Sequence, residues 1–180
     1  MSDNDIRRLY QGGFHEEAFN QIVNSYSERL YYHIRRFIHN HTDADDVLQE
    51  IFIKIWTALP TFRWEAQLFT WIYRIATNAT LNYLRKEKFK SIISFQDFTK
   101  KMEERIDEDA YFNGEELERE LHKAMQRLPE KQRMVFALRY FEQMKYEDIA
   151  QITDTSVGAL KTSYHIAYTK ISEELKQIFG

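Results

Sequence analysis

The sequence predicts an all-α protein, with two small helical domains joined by a flexible acidic linker and a helix-turn-helix in the second. Three observations predict it. The 180 residues hold only 5 Gly and 2 Pro, which suits long helices better than a turn-rich β sandwich. Apolar residues recur at three- and four-residue steps over much of the chain. Residues 146–171 read as two short helices joined by a tight turn. The expected division is a helical domain at 1–96, an acidic linker at 97–120 and a second domain at 121–180.

The elements follow in order. Phe14, Ala18, Phe19, Ile22, Val23, Tyr26, Leu30, Ile34, Phe37 and Ile38 mark a helix over 14–39. Thr42 is the expected N-cap of the next, with Asp43, Asp45 and Asp46 in the first turn, where the helix dipole favours acids. That helix reaches about Leu59, burying Val47, Ile51, Phe52, Ile55 and Trp56, and Pro60 ends it. Residues 61–67 read as an irregular stretch, and Phe69 to Lys88 as a third long helix. Periodicity fades from residue 91, so 97–113 read as linker, while Glu115 to Arg127 returns to helix. Leu128-Pro129-Glu130 opens another helix carrying Met134, Val135, Leu138, Tyr140 and Phe141. In the closing pair, Ile149, Ala150, Ile152, Val157 and Leu160 face inward, Thr153-Asp154-Thr155 turns, and Ser156 caps.

Charge and composition exclude several functions. There is no cysteine, so disulfides, thiolate metal sites and cysteine nucleophiles are out, and a reducing cytoplasm is the simplest compartment. No apolar run approaches the roughly 18 residues of a membrane helix, and the N-terminus lacks an apolar signal core. Net charge is −3, unevenly spread. Residues 1–96 carry a net +1, 97–120 a net −6, and 121–180 a net +2. Weakly basic lobes predict modest intrinsic DNA affinity, since phosphate neutralisation drives non-specific binding. A large partner would supply the rest.

Three blocks carry chemistry. In the closing pair, Ser156, Lys161, Thr162 and His165 face outward, where such side chains bond phosphates or base edges in a groove. A helical hairpin that merely packs would have the same pattern. The middle block, 60–88, is dense in aromatics, with Phe62, Trp64, Phe69, Trp71, Tyr73 and Tyr83. Arg74, Asn78, Asn82 and Arg85 share one helical face there. Rings stack on unpaired bases, amides read base edges and guanidiniums hold phosphates, so this block suits single-stranded DNA. Phe69, Ile72, Ile75 and Tyr73 are expected in the core. The third block, Asp43 to Trp56, opens with four acids in eight positions. It reads as a well-capped solvated helix start or as a face that docks on protein. With His39 and His41 nearby a metal is conceivable, but the spacing matches no standard loop.

At these residues the chain resembles the sigma-70 family of RNA polymerase factors, in its small two-domain extracytoplasmic-function branch. Three motifs occur in order: Asp45-Asp46-Val47-Leu48-Gln49-Glu50-Ile51-Phe52-Ile53-Lys54, then Phe69-Thr70-Trp71-Ile72-Tyr73-Arg74-Ile75-Ala76-Thr77-Asn78, then Leu128-Pro129 with the Tyr146–Ile171 hairpin. They span about Phe14 to Ile171. The resemblance implies partners and sites. Asp46, Gln49 and Glu50 would meet the clamp helices of the large subunit of core RNA polymerase, and the second domain its flap. The loop at 61–67, with Phe62, Arg63 and Trp64, would capture a flipped base of the promoter −10 element beside Trp71 and Asn78. The second domain would read the −35 element. The acidic linker would thread the polymerase, and an anti-sigma factor would hold the protein inactive. No cofactor, catalytic residue, metal or membrane insertion is implied. One departure stands out. Ser163, Ile166 and Tyr168 occupy positions where many relatives carry arginine, which predicts weak or altered −35 recognition, or recruitment by an accessory factor.

Rival readings differ in class. A stand-alone helix-turn-helix regulator needs a dimer face and a palindromic site, and leaves 60–90 without a purpose. An adaptor could keep the fold without touching DNA. An enzyme is disfavoured, because no Ser-His-Asp set, glycine-rich phosphate loop or metal motif is visible.

Overall fold

The computed structural model describes residues 2–94, 97–108 and 115–180. The described residues fold into helices with no strand among them. In order they are α1 (Asp3–Gln11), α2 (His15–Arg35), α3 (His41–Ala58), a 3-10 turn (Leu59–Thr61), α4 (Leu68–Ile93), α5 (Phe98–Glu108), α6 (Glu116–Gln126), α7 (Glu130–Tyr140), α8 (Tyr146–Thr153) and α9 (Val157–Phe179).

The first lobe packs α1 on α2, α2 on α3, and α3 and α2 on α4. Its core includes Ile6, Ile22, Leu30, Ile34, Ile51, Ile55 and Ile72, all buried. Helix α1 lies outside the elements read from the sequence. It forms because Ser2 and Asp5 build a capping box: the Ser2 hydroxyl accepts from Asp5 N–H, and the Asp5 carboxylate accepts from Ser2 N–H at 3.0 Å. Ile6 is its fully buried anchor in the core, with Leu9 and Tyr10 packed partly buried against it. Helix α3 is capped by Asn40, whose side chain accepts from Asp43 N–H at 2.9 Å, and not by Thr42. The helix starts two residues earlier than expected because Asn40 is at least as good a cap as Thr42 and His41 tolerates a first helical position. Trp56 also departs from expectation. It is 45% exposed and lies against Phe19 of α2, with ring centroids 5.0 Å apart.

The second lobe packs α7, α6 and α8 around α9. Met125, Met134, Phe136, Leu138, Ile149, Ile152, Leu160 and Ala167 fill it. Val157 and Ala150, expected inward, are only half-buried. The stretch read as linker contains α5, which packs on α6 and α4 with Met102 and Ile106 buried. The two lie four residues apart on one face, and such a short apolar stripe is hidden among charges in sequence. Residues 109–114 of the expected linker lie outside the described residues.

The lobes also touch each other. Helix α8 packs directly on α4, and buried residues of both lobes form one contiguous core. Two buried histidines sit near this junction. His33 is fully buried, and desolvation holds its pKa down to about 4, against the pull of Glu142 and with the push of Arg36. His122 is buried too, and desolvation with Arg36 and Arg35 nearby lowers it to about 4. Each binds a proton in the unfolded chain from about pH 6.5 downward, but in the folded chain only near pH 4. Stability is therefore whole above pH 6.5 and is lost as pH falls toward 4. Denaturant melts at pH 7.5 and pH 5 should differ by a few kcal/mol, on the order of 1.4 per unit for each histidine. A flat profile would mean that these imidazoles are hydrated.

Candidate nucleic-acid and docking surfaces

The loop between the 3-10 turn and α4 is built from rings. Phe62 stacks on Trp71 with centroids 4.5 Å apart at 20°, and Trp64 leans on Phe62 at 4.9 Å. Tyr10 of α1 closes the cluster at 5.8 Å from Trp64 and stacks on His15 at 4.4 Å. Trp64 takes φ 60°, a left-handed conformation that a bulky residue adopts only when its surroundings hold it there. Its ring contacts supply that hold. Arg63, beside it, is exposed.

The start of α4 lacks a cap of its own, since Gln67 makes no side-chain capping bond. Asp3 serves instead from a distant helix. Its carboxylate accepts from Phe69 N–H at 3.3 Å and from the Tyr26 hydroxyl at 2.7 Å. One carboxylate thus ties α1 and α2 to the first turn of α4. A cavity of about 440 Å³ opens between α1 and the loop, lined by Asn4, Arg7, Trp64 and Gln67 among others. Asp3 and Tyr10 were not legible as site residues, because their partners are tens of residues away in sequence.

Along α4 the polar stripe is real. Arg74, Asn78, Asn82 and Arg85 are all exposed, while Ile72, Tyr73, Ala76 and Leu84 are buried on other faces. Phe69 and Ile75, expected in the core, are half-buried. Two of the four stripe residues are engaged. Arg74 pairs with Asp154 at 2.9 Å and Arg85 with Glu130 at 2.8 Å, both acids belonging to the second lobe. Asn78 lines a cleft of about 290 Å³ between α4 and that lobe.

The closing pair has the expected turn. Asp154 adopts φ 51°, ψ 42°, and its N–H bonds Ala150 O, which ends α8. Ser156 caps α9, accepting from Ala159 N–H at 3.3 Å. Ser156, Lys161, Thr162 and His165 are exposed together near the start of α9. Two are tethered locally: Thr162 donates to Gly158 O at 3.2 Å, and the Lys161 ammonium lies 5.9 Å from the Tyr146 ring.

On α3, Asp46, Gln49 and Glu50 are exposed on one side. Glu50 pairs with Lys54 at 2.6 Å. Asp43 is different, since it accepts from the Tyr83 hydroxyl at 2.7 Å and serves the fold. Beside Gln49 an apolar groove of about 610 Å³ runs between α2 and α3, lined by Phe19, Val23, Phe52, Ile53 and Trp56. Ile53 is 66% exposed there. The sequence reading placed these apolar residues in the core or left them unremarked, because period alone does not say which side of an amphipathic helix is left uncovered. Among the described residues no three His, Asp or Glu side chains gather as a metal site.

Comparison with known proteins agrees with this architecture. Residues 22–90 match the family model for sigma-70 region 2, and residues 118–171 that for sigma-70 region 4. The RNA polymerase sigma-H factor of Pseudomonas aeruginosa is 30% identical over 96% of this chain and 93% of its own length. The ECF RNA polymerase sigma-E factor of Escherichia coli is 30% identical over 96% and 93%. The ECF sigma factor SigW of Bacillus subtilis is 28% identical over 96% of each. Among solved structures, the sigma factor RpoE of Bartonella quintana, bound to the anti-sigma factor NepR, superposes with TM-score 0.67 at 22% identity, covering 88% of this chain and 96% of that one. CnrH, bound to the cytosolic domain of CnrY, gives 0.65 at 23% identity, covering 90% of each. The chain belongs to the sigma-70 family, in its extracytoplasmic-function branch. It is an alternative sigma factor of RNA polymerase.

The Asp3 bridge yields a prediction. Asp3→Ala should cost about 1–3 kcal/mol, the range for losing a cap and leaving a buried donor unpaired. Asp3→Asn, which keeps an acceptor oxygen, should lose less. Guanidinium unfolding of the two variants measures the difference.

Proposed function

We propose that this sigma factor works by the two-module route its surfaces fit, without catalytic chemistry of its own and in the cytoplasm. Core RNA polymerase docks on α3, with Asp46, Gln49 and Glu50 as the polar contacts and the groove at Ile53 and Trp56 as the apolar centre. Interfaces gain most of their affinity from such a desolvated apolar centre with a polar rim. The loop 62–67 and the α4 stripe then hold one strand of the −10 element. Phe62, Trp64 and Trp71 offer ring faces, Asn78 and Asn82 offer amides, and Arg63, Arg74 and Arg85 offer cations. Melting costs a few kcal/mol per unstacked base, which these contacts offset. The start of α9 reads the −35 element through Ser156, Lys161, Thr162 and His165. The domains would divide at 1–96 and 121–180. An anti-sigma factor is the expected antagonist, a reading supported by the complexes in which RpoE and CnrH were solved.

The observation that carries this reading is the exposed Arg-Asn-Asn-Arg face on α4, continuous with a ring-built loop, in a chain that also ends in a helix-turn-helix. A purely structural α4 has no use for two asparagines on an open face, where they are poor helix formers.

Transcription in vitro with core polymerase and a matched promoter provides the test. Asn78→Ala and Trp71→Ala should reduce open-complex formation by about tenfold or more, the loss expected for one stacked or hydrogen-bonded base, while closed-complex binding changes little. Unchanged opening in both variants would favour the adaptor reading. Separately, Ile53→Asp should weaken binding to core polymerase by about tenfold or more, because a charge in a desolvated apolar contact is costly.

A further inference from the structure

Where the lobes meet, each contributes a buried imidazole to cationic surroundings. His39, between α2 and α3, is 1% exposed, and His122, on α6, is 2% exposed. The charged groups that act on His39 are His122, Arg133 of α7 and Arg35 of α2, and the Gln126 side chain of α6 shares a hydrogen bond with it. Those that act on His122 are Arg36 and Arg35. The His122 ring also lies flat against Phe141, with centroids 5.8 Å apart at 12°. Arg35 is buried and donates to His39 O at 2.9 Å, and buried Arg133 donates to the Gln126 side chain. Two acids of the second lobe stand nearby, and both are engaged. Glu142 accepts from Arg36 Nη1 at 2.5 Å and from the Tyr73 hydroxyl at 2.7 Å, and Glu130 pairs with Arg85 at 2.8 Å.

From this geometry we infer that the joint is proton-operated: when His39 and His122 take up protons the two lobes part, and each lobe stays folded. A proton on either ring adds a cation beside Arg35, Arg36 and Arg133, while Glu142 and Glu130 are already taken by Arg36 and Arg85. Parting gives His39 to water on one lobe and His122 on the other, where an imidazole takes a proton near pH 6.5. In the closed form burial comes first, with the neighbouring cations, in favouring the neutral rings, holding His122 at about 4 and His39 well below its ordinary value. The open form therefore binds more protons, so the contact is whole above pH 6.5 and weakens as pH falls. At pH 5.5 each ring raises the ratio of open to closed molecules about tenfold, and the two together about a hundredfold. His33 is not the trigger, because Glu142 stands 3.9 Å from it and favours its charged form. The lobes survive parting because each has apolar packing that these rings do not supply, with Ile22, Ile51 and Ile72 in the first and Met134, Leu138 and Leu160 in the second. The inference does not depend on which face meets DNA, only on the lobes meeting at this joint.

The whole chain lacks cysteine, so Asn24→Cys and Lys170→Cys, both exposed and on different lobes, take a pH-insensitive donor and acceptor dye without interference. Transfer efficiency then reports the joint, and circular dichroism reports the helices. Emission of Trp56, Trp64 and Trp71, all in the first lobe, reports the folding of that lobe by itself. Between about pH 7 and pH 5 the efficiency should fall reversibly while the other two signals hold. His122→Phe keeps the flat stack on Phe141 and removes one titrating ring. Its open-to-closed ratio at pH 5.5, relative to its own value at pH 8, should be about tenfold smaller than that of the wild type, and adding His39→Gln should make it about a hundredfold smaller. If the double variant does not fold, the wild type decides alone. The logarithm of its open-to-closed ratio should rise with a slope of about two or more per pH unit below about pH 6, the uptake of at least two protons. A flat efficiency, a slope of one or less, or a folded double variant that opens at the wild-type pH would overturn the trigger. Loss of the helix signal together with the efficiency would overturn the parting of intact lobes.

Discussion

Helix α4 has to meet three neighbours at once, and the rest of the structure is arranged around that demand. One face is apolar and small, with Ala76, Ala79 and Thr80 buried alongside Ile72 and Leu84, which lets the first lobe approach closely. The opposite face is polar and open. Its first turn has no cap in its own sequence, so Asp3 must come from α1 to accept the Phe69 N–H. The ring cluster of Phe62, Trp64, Trp71 and Tyr10 then fixes how the preceding loop leaves the helix. A helix with a buried small-residue face and an open arginine–asparagine face is rigidly placed, and rigid placement of a contact face limits the entropy lost on binding.

The meeting of the lobes follows from charge as much as from apolar burial. The second lobe is weakly basic overall, yet it turns acids toward the first. That arrangement is cheap to keep and cheap to exchange. The Arg74 and Arg85 pairs are half exposed, and ion pairs in water add little stability. Burial at Glu142 sets the difference between this contact and a loose encounter, because an unmatched carboxylate there would be strongly unfavourable. Tyr73 shares in the cost: burial and the nearby Glu142 carboxylate both push its phenol pKa upward, so it remains a donor throughout the physiological range.

Sequence patterns reached the elements whose partners are near in the chain and missed those whose partners are far. The helix-turn-helix was legible because Ile149, Ile152, Ser156 and Leu160 lie within twelve residues, and their spacing, cap and turn reinforce one another. The α4 stripe was legible because a helix maps Arg74, Asn78, Asn82 and Arg85 onto one face whatever packs behind it. Helix α5 was not, because only Met102 and Ile106 mark it among charges. Trp56 was assigned inward by its period, but periodicity finds an apolar stripe without its width, and this stripe is wider than the core that α2 and α4 can cover. The α2–α3 groove is that excess. Glu142 was invisible for a third reason. A lone acid after a helix is ordinary, and its role comes from Arg36 and Tyr73, which are 106 and 69 residues away.

The apolar groove between α2 and α3 and the polar face of α4 are two exposed surfaces of opposite chemistry on one lobe. Ile53 and Trp56 stay in water without a partner, which costs the free chain stability and favours any protein that removes them from solvent. On α4, Arg74 and Arg85 are paired with Asp154 and Glu130 of the second lobe, while Asn78 and Asn82 are exposed. A chain of net charge −3 with weakly basic lobes exerts little electrostatic pull of its own on nucleic acid, so the apolar groove is where association gains most per unit area.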